Sequence, residues 1–469
     1  MESLEQRVTG TEMEYSIWAR QSPDARLEPL ADNTSLRAIL KKCLPDEIKT
    51  AGDSGMASNG SRIYVDLGRF IEYATPEDTS FEGTVANEIA GERIVVGTMD
   101  NAVAEGLVHD YAINKRVVSD DNNTWGYHTS FMVDGSKVEM NLSNLKAIGI
   151  HLATQNIYAG AGALHYDEHC NVKGYAIAQK VLNLNCEIAQ STYSTQQPLL
   201  SQRNEPLANN GTKRLHLTTM DANISPWATW MRLGTTSIVA RLIESGYQGT
   251  YVKDLELLEM PMHRYARHIA LDPTLKYSVR SRYGDKSLRG LDVQRILFEH
   301  ALKLDLPAQE QKVMTEWERA LDDLEKDPEL LADRADWVIR KKVIDHALAK
   351  RGLDLTSKVA ISRDKAYDYL DNKSTADEPG STRSIGMRLR GRGVLSRWMD
   401  ESAIKTAITT PPQTTRAKIR AEFVNQNWDN KTAAVTWDSF NIDPSLHNAQ
   451  VIGNPLQTTI GHSKHIKSC

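Results

Sequence analysis

The 469-residue sequence lacks several features that would assign a class at once. Its four cysteines (Cys43, Cys170, Cys186 and Cys469) lie far apart and form no CxxC pair, so neither a disulfide framework nor a zinc cluster is indicated. No apolar run approaches the roughly 20 residues that cross a bilayer. The opening segment MESLEQRVTGTEMEYSIW has no apolar stretch of the kind that signal peptides carry. We therefore expect a cytoplasmic protein with reduced cysteines and no membrane contact.

The common nucleotide-binding and hydrolase motifs are also missing. The sequence contains no GxxxxGK[ST] loop, no GxGxxG before a helix and no GxSxG elbow. A net charge of -5 disfavours a nucleic-acid binder, which needs a basic surface. Basic residues do concentrate between positions 383 and 420, and both a solvated face and a surface for an acidic partner or phosphates remain open. This basic run includes Arg388, Arg390, Arg392 and Arg397.

Alternation of apolar and polar residues predicts strands in the first part of the chain. Residues 8–18 place Glu12 and Glu14 on one face of a strand. Residues 61–77 are predicted to form a second polar-faced strand, with Arg62, Tyr64 and Asp66 opposite Ile63 and Val65. Further strands are predicted near 126–133 and 214–219, and the sheet is expected to be mostly antiparallel.

Helical patterns dominate the second half, so the predicted fold class is α+β. Helices are predicted at 34–44 and 80–96 in the first half, and amphipathic helices at 230–245, 290–302, 313–325 and 337–350 in the second. The polar segment 371–384 is predicted to be a mobile loop. After PPQTTR, a helix and a short strand around 433–437 indicate a small C-terminal domain. We therefore predict a large domain over 1–405 and a small one over 406–469.

Two predicted strands bring carboxylates together. Hard cations such as Mg²⁺ take oxygen ligands, and a nearby arginine can hold phosphate in a bidentate fork. The alternative is that these are solvent-facing residues of an open sheet, since alternating charges are common on exposed faces. His128 and His216 also fall in strand-like runs, where a single histidine is more often structural. The cluster comprises Glu12, Glu14, Arg62, Tyr64, Asp66 and Glu72.

An ordered series of segments resembles one family across nearly the whole chain. The chain is similar to the Pup ligases (proteasome accessory factor A) and their sister, the Pup deamidase and depupylase. The segments carrying the resemblance begin at Gly10, Asn59, Ala90, Trp125, Lys213, Leu233, Asp336, Arg390 and Pro411: GTEMEY, NGSRIYVDLGRFIEYATPE, AGER, WGYH, KRLH, LGTTSIVARLIESG, DWVIRKK, RGRGV and PPQTTRAKIR.

The resemblance implies a fold similar to glutamine synthetase and glutamate-cysteine ligase. A curved antiparallel sheet backed by helices would cradle ATP and Mg²⁺, beside a small C-terminal domain. Asp66 falls on the family's catalytic aspartate. Residues implied at the metal are Glu12, Tyr64 and Glu72, to which we add Glu14. Residues implied at ATP are Arg62, Thr75 and Trp437, to which we add Arg203 and His216.

The activity implied by the resemblance is ligation of a Pup-like modifier to lysines of other proteins, a tag for the proteasome. ATP would convert the modifier's C-terminal glutamate side chain to an acyl phosphate, and Asp66 would deprotonate the attacking lysine. The alternatives are a depupylase that hydrolyses the same bond and a degenerate scaffold that only binds the modifier. Only residues 17–58 separate the first two predicted strands, where depupylases carry a long extra loop. DPTLKY at Asp272 and WDS at Trp437 look more like the depupylase.

Two departures from the family pattern lie near the expected site. Where the family has HEN, this chain has His128, Thr129 and Ser130. A stretch similar to TRDEPH has become QRNEPL at 202–207, which keeps Arg203 but loses an acid and a histidine. Altered metal handling, a different modifier and lost activity are all open. Because Glu12, Tyr64, Asp66 and Glu72 are kept, we expect a divergent active enzyme.

Overall fold

A computed structural model describes most of the chain. The described residues are 6–30, 32–66, 68–138, 142–189, 196–201, 211–246, 260–280, 287–371, 384–446 and 448–460. Arg203, Cys469 and nearly all of the predicted loop 371–384 lie outside them. A search of the described helices finds none with the length and apolarity that a membrane span requires.

The strands form one large sheet and several small ones. Their bounds are β1 Thr9–Arg20, β2 Glu28–Pro29, β3 Arg62–Val65, β4 Ile71–Ala74, β5 Asp110–Asn114, β6 Tyr127–Asp134, β7 Ala163–Tyr166, β8 Val172–Ala176, β9 Cys186–Ala189, β10 Pro198–Ser201, β11 Thr212–Leu217, β12 Ser278–Arg280, β13 Ser287–Arg289, β14 Tyr369–Leu370, β15 Ala434–Val435, β16 Ser439–Asn441 and β17 Gln450–Val451. Eight of them make the large sheet, ordered β11-β6-β1-β4-β3, with β2 and β5 paired to β1 and β14 paired to β5. Every pairing in it is antiparallel, as predicted.

Strand β1 is the centre of the large sheet. Its first half pairs with β6 and β4, and its second half pairs with β5 and β2. Buried and partly exposed residues alternate along it, so Met13, Tyr15 and Ile17 enter the core while Glu12 and Glu14 face the other way. The period-2 pattern of the sequence thus correctly predicts which residues share a face.

The predicted single strand over 61–77 is wrong, because the segment folds into the hairpin of β3 and β4. Asp66 directly follows β3, and its carboxylate accepts hydrogen bonds from the backbone N–H of Gly68 (2.7 Å) and Phe70 (2.8 Å). Arg69 completes the turn with a φ of 68°. Aspartate readily forms such local turns, and here that preference overrides the alternation pattern.

All the helices named here except the last contribute to the main core, which lies on the face of the sheet opposite Glu12. Their bounds are α1 Asn33–Cys43, α2 Phe81–Ala104, α3 Leu142–Thr154, α4 Asn156–Ala159, α5 Pro226–Glu244, α6 Met262–Ala270, α7 Gly290–Ala301, α8 Ala308–Lys326, α9 Asp336–Ala349, α10 Lys358–Tyr367, α11 Ile385–Gly391, α12 Glu401–Thr409 and α13 Ala417–Asn427. Helix α5 is buried along its whole length, so its predicted amphipathic character is wrong. It packs against α2, α3, α7, α8 and β6, which leaves it no solvent face.

A second, smaller apolar cluster lies beside the sheet near the C-terminus. Phe423 and Phe440 form its centre, with ring centroids 4.4 Å apart, and β15–β17 make a small antiparallel sheet around them. Ala51 and Met56, from the segment before β3, also belong to it. The α+β class, with an antiparallel sheet backed by helices, is confirmed; the division at 405 and 406 stays a prediction.

Candidate active site

Three oxygen-bearing side chains lie side by side across three strands. Strand register places Glu14 of β1 opposite Glu72 of β4, and Glu72 opposite Tyr64 of β3. Directly opposed residues have Cβ atoms about 4.5–5.5 Å apart. The predicted two-strand cluster is therefore a three-strand row, because the β3–β4 hairpin adds a strand that the pattern did not reveal.

Asp66 joins this row from the turn between β3 and β4. One carboxylate oxygen from each of Glu14, Asp66 and Glu72 lies within 4.8 Å of the others. The two N–H groups of the turn fix the Asp66 carboxylate toward these partners. The turn thus delivers the predicted catalytic aspartate to the predicted metal ligands.

A second group of ligand atoms surrounds Glu12. Glu12 Oε2 lies 3.2 Å from His128 Nδ1, and one ligand atom from each of Glu12, His128 and His216 falls within 4.8 Å of the others. Arg214 Nη2 lies 3.6 Å from Glu12 Oε1. His216 therefore stands beside a carboxylate rather than in a purely structural setting.

The substituted HEN positions fall on opposite faces of β6. Thr129 is buried on the core face, whereas Ser130 shares the face of His128. Ser130 Oγ accepts a hydrogen bond from Arg214 Nε (3.1 Å) and lies 3.2 Å from His216 Nδ1. Only the serine therefore changes the surface that faces Glu12, and it supplies a polar group of its own.

The carboxylates shift one another's protonation. Burial raises the pKa of Glu72 well above its usual range, and the charges of Glu12 and Glu14 raise it further. Burial also raises the pKa of Glu14. For Glu12, burial favours the neutral form, but the hydrogen bond with His128 and the charge of Arg214 outweigh it and lower the pKa. Several crowded, half-buried carboxylates form a donor set that fits a divalent cation, which would relieve their repulsion.

A cavity opens beside this cluster, with about 560 Å³ of empty space including its mouth. Thr75 and Trp437 line it together with Glu12 and Arg214, so two predicted ATP contacts share a wall with a predicted metal ligand. The Thr75 hydroxyl accepts a hydrogen bond from the backbone N–H of Thr11 (2.9 Å). Such a partly apolar cavity next to a polar cluster is the usual form of a ligand site.

Trp437 is held in place by residues that the sequence interpretation missed. The Arg420 guanidinium lies 4.7 Å from the centre of the Trp437 ring, and its Nη1 donates to the Trp437 carbonyl oxygen (2.9 Å). Glu77 binds both Arg420 and Arg416, and these charges lower the pKa of Glu77 to about 2 against the opposing effect of burial. The segment PPQTTRAKIR carried this signal, since it contains both arginines.

Arg62 faces the same side as Tyr64, with its guanidinium 3.9 Å from the centre of the Tyr64 ring. Its Nε donates to the Ser54 carbonyl oxygen (2.9 Å). Arg203 lies outside the described residues. All other predicted site residues are brought to one face of the sheet or to the cavity, while their individual roles stay predictions.

Comparison with known proteins assigns the chain to a family. A family model described as Pup-ligase protein matches residues 7–441. A Pup–protein ligase from Acidimicrobium ferrooxidans is 30% identical, with 97% of each chain covered. The chain belongs to the Pup-ligase family. Another member, the Pup–protein ligase of an Arthrobacter species, is 28% identical over 97% of each chain.

Solved structures of this family share the fold. The ligase PafA in complex with the prokaryotic ubiquitin-like protein Pup superimposes with a TM-score of 0.78 at 24% identity, covering 97% of this chain and 91% of that one. PafA in complex with ADP gives a TM-score of 0.71 at 25% identity, covering 91% and 90%. The resemblance to Pup ligases is confirmed.

Proposed function

We propose that this chain is an ATP-dependent ligase that joins the C-terminal glutamate side chain of a Pup-like modifier to lysines of other proteins. The observation that supports this proposal most directly is that Glu14, Glu72, Tyr64 and Asp66 lie together beside a cavity lined by Thr75 and Trp437. Family membership supports the reaction, and the ADP complex of a relative supports nucleotide use. The product would be an isopeptide bond that tags proteins for the proteasome, in the cytoplasm.

Glu14, Glu72, Tyr64 and Asp66 form what we call the carboxylate row, and with Glu12 it has the composition needed to hold Mg²⁺. Glu12, Glu14, Tyr64 and Glu72 are the proposed ligands, with His128 and His216 beside Glu12. A bound Mg²⁺ would neutralise charge on the phosphate oxygens of ATP. The ion-paired Arg214 adds a fixed positive charge at the boundary between the row and the cavity.

The cavity is the proposed place of the nucleotide. Trp437 offers a ring on which a purine can stack, and Thr75 lines the same cavity. Arg62 and Arg203 are proposed to contact phosphate, in keeping with the bidentate geometry of guanidinium groups. A nucleotide held there would lie beside Glu12 and Arg214, which line the same cavity.

Asp66 is the proposed general base for the second step. The modifier's carboxylate first takes the γ-phosphoryl group of ATP, since a free carboxylate is a poor electrophile. The lysine nitrogen then forms a bond to the acyl carbon as phosphate leaves. Lysine has a reference pKa of about 10.4 and is mostly protonated at neutral pH, so a base must take its proton. Each Asp66 oxygen accepts one turn N–H and keeps a second lone pair for that proton.

Two observations favour the ligase over the depupylase. The relatives described above are Pup–protein ligases matched along 97% of their length. The described residues between β1 and β3 include β2 and α1, with α1 packed on α2, and contain no long extra loop of the depupylase kind. Purified chain with ATP, Mg²⁺ and a Pup-like peptide, followed by mass spectrometry in both directions, tests the choice. Formation of lysine adducts supports ligation, and cleavage of preformed adducts without new ligation supports the depupylase. If neither reaction occurs, the result supports the scaffold that only binds the modifier.

Trp437→Ala is expected to weaken ADP binding. Loss of a stacked base contact costs about 1–3 kcal/mol, which corresponds to roughly a 5- to 150-fold higher dissociation constant. Isothermal titration with ADP measures the change. Trp428→Ala is the matched control, because Trp428 is an exposed tryptophan that contacts Lys49. Unchanged ADP affinity in the Trp437 variant would remove that residue from the nucleotide site.

The basic run on α11 and after it is proposed to meet an acidic face of the modifier. Arg390 already has partners within the chain, because its guanidinium binds Glu92 and the Ile224 carbonyl oxygen. Arg388 is half-buried and Arg392 is exposed. The charge available to a partner therefore comes from the neighbours of Arg390.

Reversing Arg388 and Arg392 to Glu is expected to weaken modifier binding about tenfold, with a smaller effect in high salt. Fluorescence anisotropy with a labelled modifier measures the affinity. Reversal of Lys303 and Lys326, two exposed lysines in the turn after α7 and at the end of α8, changes the net charge equally and serves as the control. Equal affinities in the two double variants would place the modifier elsewhere.

A further inference from the structure

The segment Trp125–Gly126 touches both halves of the candidate site. The Gly126 N–H donates to Glu14 Oε2 (2.5 Å), and the Glu14 N–H donates to the Gly126 carbonyl oxygen (3.0 Å). The Trp125 ring stacks on Phe70, with centroids 5.6 Å apart and planes inclined by 21°. Phe70 in turn donates its N–H to Asp66 Oδ1. One short segment therefore contacts a proposed metal ligand directly and the proposed base through one neighbour.

This segment is anchored by a buried lysine from a distant part of the chain. Lys180 Nζ donates to the Trp125 carbonyl oxygen (2.6 Å), and Lys180 is only 7% exposed. It lies in the 3-10 turn Lys180–Asn183, just after β8. An ammonium group buried at this depth carries a desolvation cost that its contacts must offset.

The backbone beneath Lys180 is itself fixed. Asp221 is buried and accepts hydrogen bonds from the N–H groups of Lys180 (2.9 Å) and Gln179 (2.9 Å). It also accepts one from the N–H of Ala161 (3.0 Å). The backbone that carries Lys180 is therefore fixed while its side chain binds the Trp125 carbonyl oxygen. Such a rigid support can hold the Trp125 carbonyl oxygen in a fixed position.

We infer that Lys180 is a positioning residue that sets Glu14 and Asp66 in register by holding the Trp125 carbonyl. The expected effect on catalysis rests on the proposed function. The expected effect on the positions of Glu14 and Phe70 does not rest on it, because these contacts exist without substrate. Residues that orient metal ligands typically contribute about 10- to 100-fold to metal affinity or activity.

Lys180→Met tests the inference, since methionine fills the same space without a hydrogen-bond donor. We expect the dissociation constant for Mn²⁺, measured by electron paramagnetic resonance in the presence of ADP, to rise about 10- to 100-fold. The kcat for lysine conjugation should fall by a similar factor, while KM for the modifier stays within about twofold. Lys173→Met is the control, because Lys173 is an exposed lysine on β8. Wild-type Mn²⁺ affinity and kcat in Lys180→Met would overturn the inference.

Two further variants test the contacts toward Asp66 and toward Glu14 separately, and they remain informative if Lys180→Met fails to fold. Phe70→Leu removes the stack on Trp125, so conjugation should fall while Mn²⁺ affinity is kept. Gly126→Ala places a Cβ 2.8 Å from Glu14 Oε1, so Mn²⁺ affinity should fall. Lost Mn²⁺ affinity in Phe70→Leu, or retained affinity in Gly126→Ala, would contradict the inference. If the wild-type protein binds Mn²⁺ with ADP but forms no adduct, the proposed function fails while the Mn²⁺ arm still tests the positioning role.

Discussion

Asp66→Asn is expected to lower the rate of lysine conjugation by about 10²- to 10⁴-fold, the range typical of a lost general base. Asparagine keeps the size of the side chain but cannot take the lysine proton. Formation of the acyl phosphate does not need this proton transfer, so ADP binding and activation of the modifier should persist. Single-turnover conjugation, followed by mass spectrometry, measures the loss.

Hydroxylamine separates the base role of Asp66 from other roles. This amine is already unprotonated at neutral pH, so it should trap the activated modifier as a hydroxamate in the Asp66→Asn variant at close to the wild-type rate. Asp66 also lies within reach of Glu14 and Glu72. If the variant instead loses Mn²⁺ affinity and hydroxamate formation together, Asp66 is a metal ligand rather than the base.

The chain offers a close structural control for this substitution. Asp167 accepts hydrogen bonds from the N–H groups two and four residues later, His169 (3.0 Å) and Asn171 (2.9 Å). Asp66 binds the N–H groups of Gly68 and Phe70 at the same spacing, but it uses one carboxylate oxygen for each, whereas Asp167 uses Oδ1 for both. Asp167→Asn therefore makes the same chemical change in a turn of the same spacing away from the site, and we expect it to leave conjugation unchanged.

Glu72→Gln is expected to reduce both Mn²⁺ affinity and conjugation by more than about 100-fold. Glu72 stands between Glu14 and Tyr64 in the carboxylate row, and loss of a direct ligand should exceed the 10- to 100-fold effect of supporting residues. Electron paramagnetic resonance with Mn²⁺ and ADP measures the affinity. Glu28→Gln, at an exposed strand position, is the matched control. Retained Mn²⁺ affinity in Glu72→Gln would remove Glu72 from the proposed ligands.

The same variant should be more stable than the wild type in the absence of metal. Burial and the neighbouring carboxylates raise the pKa of Glu72 in the folded state above its unfolded value. The folded protein therefore binds more protons than the unfolded chain between those two pKa values, and stability falls as the pH rises through that window. Glutamine removes this cost. A higher melting temperature for metal-free Glu72→Gln at neutral pH, combined with lost activity, is the expected pattern of a functional site that is held at some expense to stability.

The sequence indicated which residues belong to the site better than it indicated how the strands and turns bring them together. Alternation along β1 correctly placed Glu12 and Glu14 on one face, because the two-residue period of a strand is a local property. The same reasoning failed at 61–77, where the carboxylate of Asp66 captures two backbone N–H groups and turns the chain. Side-chain hydrogen bonds of this kind leave no trace in a hydrophobicity pattern.

By itself, the sequence determined the α+β class, the family and the set of oxygen-bearing residues, since these follow from local periodicity and ordered motifs. Only the tertiary structure decided that Glu14, Glu72 and Tyr64 form one row, that Trp437 and Thr75 line one cavity, and that Lys180 binds the Trp125 carbonyl oxygen. Apart from Tyr64 and Glu72, which pair within the β3–β4 hairpin, these residues are brought together from positions 55 to 362 residues apart in the chain. Their geometry depends on cross-strand register and on the packing of buried groups, which no local pattern encodes.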